Sequence, residues 1–310
     1  MPIPEVEKIW FNGELVPWAE AKVHVLTHGL HYGSGVFEGI RAYKAVNGPQ
    51  VFRLTEHLER LFRSAKLYYM PIPYSVDQLR QATFDLLIAN GLESCYVRPI
   101  VFRGYGEMGL FPLNSSVEVG IAAWPWGTYL GDEGIERGVR AKTASIQSLD
   151  HTSLARAAKA TGQYLNSILA KVEVVNAGYD EAVMLNEHGH VAEGSGENIF
   201  MVRDGAVWTP PLGDGVLEGI TRDSVFKLCA SEGIPCAERT LSRSDLIVAD
   251  EVFYTGTAAE IVPVRELDNL SIGEPGPVTR RMQERFRAVV EGRDEEFAEW
   301  VEYVTPAKVG

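Results

Sequence analysis

The sequence predicts an α+β fold in two domains. Apolar residues fall in many short runs bounded by Asn-Gly, Asp-Gly or lone Gly turns, and few segments are long enough for the crossovers of a doubly wound parallel sheet. A stretch rich in Pro and Gly then interrupts the pattern at Pro125-Trp126-Gly127, and the pattern restarts beyond it. At 310 residues the chain is long enough for two cores.

Each element has a local reason. Ile9-Trp10-Phe11, the turn Asn12-Gly13 and Leu15-Val16 read as a hairpin, and 36–43 reads as one strand that Asn47-Gly48 turns into Val51-Phe52. Thr55 is the expected cap of a helix whose apolar face is Leu58, Leu61, Phe62 and Ala65. Ser75 and Gln78 form a capping box ahead of Leu79, Ala82, Leu86 and Leu87, and Gly91 stops that helix. Strands at 95–102 and 117–124 complete a first domain, 1–125, and 126–138 reads as a connector loop. In the second domain, 139–310, Leu165, Ile168, Leu169, Val172 and Val175 mark a helix closed by Gly178. Short strands follow at 181–186, 191–193, 199–203 and 207–209. Thr221 opens a helix through Val225, Phe226 and Cys229 to Gly233. Strands at 252–255 and 261–265 precede terminal helices from Val278.

Charge and composition narrow the function. A net charge of −13, from 29 basic against 42 acidic residues, opposes bulk nucleic-acid binding but leaves room for one anionic small molecule. No run approaches the roughly 18 apolar residues of a membrane helix, and the first residues do not form a signal peptide. Cys95, Cys229 and Cys236 are too few and too scattered for a disulfide framework or a zinc site. A cytoplasmic enzyme or binding protein is expected.

The Gly-rich pieces mislead. Gly104, Gly106 and Gly109 have dinucleotide-motif spacing, but Phe111-Pro112 follows instead of a helix. Gly33-Ser34-Gly35 and Gly194-Ser195-Gly196 lack even that spacing, and there is no P-loop and no Gly-x-Ser-x-Gly elbow. His28 and His31 have no obvious partners for a ligand set, so packing histidines and no metal are expected.

Lys159 is different: it sits among Ala157, Ala158 and Ala160 just before a helix. It is either a solvated lysine or a desolvated amine able to form an imine. Glu193 is either a solvated turn residue or a buried carboxylate that keeps a cofactor ring nitrogen protonated. Gly219-Ile220-Thr221 is either a plain helix cap or a phosphate site, and Thr255-Gly256-Thr257-Ala258 adds hydroxyls at a strand end. A lysine, an acid and two phosphate-friendly turns are the parts of a pyridoxal-phosphate site.

At these residues the chain resembles the branched-chain amino acid aminotransferases of the fold-type IV pyridoxal-phosphate group. The resemblance runs nearly end to end: His31-Tyr32-Gly33, Val36-Phe37-Glu38-Gly39-Ile40-Arg41, Ala158-Lys159, Glu193-Gly194-Ser195-Gly196-Glu197-Asn198, Glu218-Gly219-Ile220-Thr221-Arg222-Asp223 and Gly256-Thr257-Ala258-Ala259-Glu260. It implies a small domain giving the substrate pocket and a large domain binding pyridoxal 5'-phosphate. It implies Lys159 as the catalytic amine, Glu193 on the pyridine nitrogen and Tyr164 on the phenolic oxygen. Arg60, Ile220, Thr221 and Thr257 are implied as phosphate ligands. Tyr96, Thr257 and Ala258 would hold the α-carboxylate, while Phe37, Tyr164 and Tyr32 (the last from a partner subunit) would line an apolar pocket. Gly39, Arg41, Met108 and Leu110 belong to the implied substrate site, and Arg98 with Tyr32 and Tyr129 would receive the glutamate side chain. A homo-oligomer, dimer or hexamer, acting on amino and 2-oxo acids is implied.

Two places depart from the common pattern. Phe111 stands in the substrate loop Met108-Gly109-Leu110-Phe111-Pro112, and Asp150–Arg156 replaces a Pro-rich stretch, with Gln163 in place of the usual Asn. The expected activity is transfer from L-leucine, L-isoleucine or L-valine to 2-oxoglutarate. A D-amino acid or (R)-amine transaminase of the same fold, a silent pyridoxal-phosphate-binding protein and a lyase acting on a chorismate derivative stay open as alternatives.

Overall fold

A computed structural model describes residues 3–127 and 130–306. In chain order the elements begin β1 (Lys8–Phe11), β2 (Glu14–Pro17), α1 (His28–Tyr32), β3 (Gly35–Phe37), β4 (Ile40–Ala45), β5 (Gly48–Phe52), α2 (Leu54–Leu67), α3 (Val76–Ala89), β6 (Cys95–Arg103) and β7 (Val117–Trp124). They continue α4 (Gly131–Arg137), β8 (Val139–Thr143), α5 (Tyr164–Asn176), β9 (Glu181–Leu185), β10 (Val191–Glu193), β11 (Asn198–Arg203), β12 (Ala206–Thr209), α6 (Ile220–Ser231) and β13 (Cys236–Glu238). The chain closes with α7 (Arg243–Ile247), β14 (Glu251–Gly256), β15 (Glu260–Leu267), β16 (Leu270–Ser271), α8 (Pro277–Val290) and β17 (Val301–Tyr303). The mixture is α+β, as expected. No helix among the described residues is long and apolar enough to cross a membrane.

Two compact units are present, one formed by 1–127 with 158–162 and 288–310, the other by 128–157 with 163–287. The expected division assigned all of 139–310 to the second domain. Two segments differ, and both are tied to the first sheet by backbone hydrogen bonds. The Phe37 amide donates to Lys159 O at 3.0 Å, Val36 bridges Ala160, and β17 pairs with β5. The expected connector is also not wholly loop, because α4 occupies 131–137.

In the first unit the sheet order is β17-β5-β4-β6-β7-β1-β2, with β3 on β6. All of its pairings are antiparallel. Helices α2 and α3 cover it, and Leu54, Leu58, Leu61, Leu79, Leu86 and Leu87 are fully buried with Val97, Val101 and Ile121. The capping box at Ser75 and Gln78 is present, with Gln78 N–H donating to Ser75 Oγ at 3.1 Å. The start of α2 is a correction. Arg53, with φ +48°, is its N-cap, while the Thr55 amide and hydroxyl both donate to Glu302 at 2.8 Å. The strand expected over 36–43 is two strands, β3 and β4, broken at Glu38-Gly39.

In the second unit the order is β10-β9-β8-β15-β14-β11-β12-β13, with β16 on β15. Parallel pairs β8·β9, β8·β15 and β12·β13 sit among antiparallel hairpins. Its core gathers Ile199, Met201, Leu246, Tyr254, Val262 and Val264. On α5, Ala170 and Val174 are the buried residues, whereas Leu165, Ile168, Leu169, Val172 and Val175 are each about half exposed or more. The stripe that marks this helix in the sequence therefore faces away from the unit's own core.

Candidate active site

The first unit gathers a lysine, a buried ion cluster and an aromatic-lined arginine. Lys159 lies between buried Ala158 and Ala160, which gives it small neighbours on both sides. Its amide donates to Ser64 Oγ at 3.0 Å, and its Nζ sits 5.2 Å from the centre of the Phe37 ring. Helix α2 then presents Arg60, which is 3 % exposed. Arg60 donates to Glu38 through Nε at 2.6 Å and Nη2 at 2.8 Å. His57, one turn earlier, places Nδ1 2.8 Å from the same carboxylate. Although burial acts the other way, the Arg60 and His57 contacts hold the Glu38 carboxyl far below the usual carboxylate range. Glu38 and His57 were not singled out in the sequence. Glu38 stands in a motif that carries the resemblance but has no role legible there, and the break between β3 and β4 that frees it from the strand is seen only in the structure.

Arg98 distinguishes itself by what surrounds it. Its guanidinium lies 4.7 Å from the Phe37 ring centre and 5.1 Å from that of Tyr96, and Nη2 donates to the Tyr96 hydroxyl at 3.1 Å. Its Nε is buried without a hydrogen-bond partner. Among the described residues it forms no ion pair, so a structural salt bridge does not account for it. Tyr96 itself is buried against Trp124 and Trp126, with ring centres 5.3 and 5.5 Å away. Gly39 is required here, because a Cβ at that position would overlap the Tyr96 hydroxyl oxygen. Arg41 pairs in register with Tyr96 across β4 and β6 and stacks over Tyr43.

Tyr32 and the loop residues of the first unit are at the surface, whereas His28 is buried. Tyr32 ends α1 and is 46 % exposed, with its ring 4.5 Å from that of His28. Met108, Leu110 and Phe111 are exposed on the loop between β6 and β7. The rings of His28 and His31 are engaged: His28 reaches Ser34 Oγ at 2.6 Å and Gly109 O at 2.8 Å, and His31 reaches Val25 O at 2.8 Å. Tyr129 lies outside the described residues.

In the second unit Glu193 ends β10. One of its oxygens pairs with Arg156, and the other accepts from the Leu217 amide at 2.9 Å and Asn198 Nδ2 at 3.2 Å. Arg156 is fixed in turn, because its Nε donates to Gly215 O at 2.9 Å. The guanidinium and the two donors fix the orientation of this carboxylate, and two oxygens with about four acceptor sites leave capacity for a further donor. No role for Arg156 or Asn198 is legible in the sequence, although Asn198 belongs to a motif that carries the resemblance and the departing segment 150–156 is expected to border the cofactor.

Helix α6 starts at Ile220 with Gly219 as its N-cap, and no side chain caps it. A Cβ at Gly219 would overlap Asn198 Oδ1, so only glycine lets the backbone close against that amide. Thr221 is 3 % exposed in the first turn, where helix amides and dipole favour an anion. Tyr164 opens α5 half-buried, and Thr257 and Ala258 form the turn between β14 and β15.

Behind Glu193 lies a second acid. Burial, then the neighbouring Glu181 carboxylate, push Glu197 up to about 8, while Glu181 itself is paired with Lys171 at 2.5 Å. The folded protein thus keeps a proton on Glu197 that the unfolded chain loses near the ordinary value of 4.5. The contribution of this one group to stability is fully present below about 4.5 and is lost, by a few kcal/mol, as pH rises through about 8. Glu197→Gln should flatten this fall, so that its advantage in urea midpoint over the parent grows with pH. Parallel curves for the two proteins would sink the assignment.

The family model described as amino-transferase class IV matches residues 35–267. A branched-chain-amino-acid aminotransferase of Escherichia coli (strain K12) is 46% identical over 307 residues, covering 98% of this chain and 99% of that protein. The crystal structure of an E. coli branched-chain amino acid aminotransferase superposes with a TM-score of 0.95 at 46% identity, over 97% of this chain and 100% of that one. The T.th. branched-chain amino acid aminotransferase complexed with N-(5'-phosphopyridoxyl)-L-glutamate gives a TM-score of 0.93 at 45% identity, covering 97% and 99%.

Proposed function

The chain belongs to the class IV aminotransferases, and from that premise we propose that it moves the amino group of L-leucine, L-isoleucine or L-valine to 2-oxoglutarate, using pyridoxal 5'-phosphate as the carrier in a ping-pong cycle. The observation that carries the substrate assignment is Arg98, a cation set among Phe37 and Tyr96 with no carboxylate partner among the described residues. One pocket must accept an apolar side chain and a carboxylate in turn, and a single cation on an aromatic wall serves both.

The donors present suit a phosphorylated pyridine. Arg60 is a buried cation already oriented by Glu38, and α6 offers a first turn without a side-chain cap. When bound, the cofactor supplies a carbonyl to receive the amine and an electron sink for the α-carbon. We assign the phosphate to Arg60, the amides of Ile220 and Thr221, and Thr257. Lys159 Nζ would bind the cofactor at its carbonyl carbon and would move the α-proton of the substrate. Glu193, oriented by Arg156, Asn198 and the Leu217 amide, would hold a proton on the ring nitrogen. Tyr164 would donate to the phenolic oxygen.

For the substrate, we assign the α-carboxylate to Tyr96, Thr257 and Ala258, and the apolar side chain to Phe37, Tyr164 and Tyr32 of a partner subunit. Gly39 makes room for Tyr96, Arg41 backs it across the strand pair, and Met108 and Leu110 belong to the loop over the pocket. Arg98, with Tyr32 and Tyr129, receives the glutamate side chain. We further propose a homo-oligomer, dimer or hexamer. The apolar stripe of α5 supports this, since five large side chains exposed in one row favour a partner surface. Residence in the cytoplasm fits three unpaired cysteines.

The test is the visible absorption of the purified protein before and after L-leucine is added without any oxo acid. Loss of the visible band on L-leucine is the expected result. A band that answers only to D-alanine or an (R)-amine transfers the assignment to those substrates, and a colourless protein removes the cofactor.

A further inference from the structure

Helix α2 carries a buried group that the proposed mechanism leaves unused. His57 is wholly buried, three residues before Arg60 on the same helix. Its Nδ1 faces Glu38 Oε2, and an ionised carboxylate only accepts, so Nδ1 carries the hydrogen. In the neutral ring Nε2 then bears a lone pair, and Nε2 is buried with no hydrogen-bond partner. A buried polar atom left without a partner is uncommon and calls for a reason.

The charges around the ring supply one. Glu38, from the break between β3 and β4, draws a proton towards it. Arg60, on α2, and Lys159, on the 158–162 segment, oppose one. Burial is the largest effect, and the sum holds His57 below the ordinary histidine value. The ring is therefore neutral at neutral pH, with the charges of Arg60 and Lys159 set against that of Glu38. A phosphate dianion arriving at Arg60 reverses that balance, because it adds two negative charges to a poorly screened cluster.

We propose that His57 is the proton-uptake partner of the phosphate held at Arg60: Nε2 takes one proton from solvent when the phosphorylated ligand binds and returns it when the ligand leaves. This rests on the assignment of Arg60 to the phosphate. It makes His57 a positioning and charge-balancing residue, and it makes cofactor retention weaken as pH rises.

The test is calorimetric titration of the apoprotein with pyridoxal phosphate, in two phosphate-free buffers that differ in ionisation heat, for the parent and His57→Asn. Asparagine keeps a donor near Glu38 and removes the outer ring nitrogen. Protons exchanged by Lys159 are common to both proteins and cancel in the comparison. The parent is expected to take up about one proton more than the variant. The variant is expected to bind about tenfold to a hundredfold more weakly, the scale of a hydrogen bond to a charged group. Equal proton counts with firm binding in both overturn the proposal and leave the cofactor assignment standing. No binding by the parent overturns both. The ring ¹⁵N resonances of His57 in the parent give a reading independent of the variant's folding. They should move from the neutral to the charged pattern on ligand addition, and an unmoved ring rejects the idea.

Discussion

Lys159→Ala is expected to abolish transamination, lowering the rate by at least about 10⁴-fold, since it removes the amine proposed as both covalent anchor and proton carrier. The loss should fall on both half-reactions alike, because the same Nζ serves leucine and 2-oxoglutarate. Folding should be nearly untouched. Lys159 holds its place by backbone contacts, its amide to Ser64 and its carbonyl to Phe37, and alanine keeps both. Cofactor affinity should weaken without vanishing, because Arg60 and the α6 first turn do not depend on the lysine. Rates measured on a protein of unchanged melting profile decide the matter. Turnover surviving in such a variant would mean that another group carries the proton.

Arg98→Met is expected to separate the two substrates. Methionine fills much of the arginine's volume between Phe37 and Tyr96 and keeps an apolar wall for leucine. It leaves the carboxylate of 2-oxoglutarate in an aromatic cavity without a cation. Loss of one partner of a buried charge pair costs about 2–5 kcal/mol, so kcat/KM for 2-oxoglutarate should fall on the order of a hundredfold or more. The leucine half-reaction should change by only a few fold. Single-turnover kinetics read the halves apart. Equal losses in both would reassign Arg98 to the α-carboxylate or to support of Tyr96, whose hydroxyl it also contacts.

Much of the molecule is determined locally and is legible in the amino-acid sequence. Ser75 and Gln78 cap α3 because both partners lie within one turn, and the Gly178 stop and the Asn12-Gly13 turn need only their own backbone angles. The residues that carry the family resemblance, Lys159, Glu193 and the Gly219-Ile220-Thr221 turn, stand out for the same reason: each is a short pattern whose chemistry is contained in its neighbours. Other features depend on partners far away in the chain. Thr55 has a capping side chain, yet Glu302 takes its hydroxyl from 247 residues away and Arg53 caps the helix with left-handed backbone instead. The stripe on α5 has helical period, but period alone does not say which face meets the core.

The candidate site follows the same division. The sequence by itself determined an α+β class IV aminotransferase and singled out the lysine, the acid and the turn that are proposed for its site. Only the tertiary structure decided what stands behind them. Glu38 and His57 behind Arg60, Arg156 and Asn198 behind Glu193, and the aromatic setting of Arg98 are all contacts between separated segments. The physical reason is that a side chain's type and spacing set what it is able to do. Its charge state, orientation and available partners are set by burial and by groups that folding alone brings within hydrogen-bond reach.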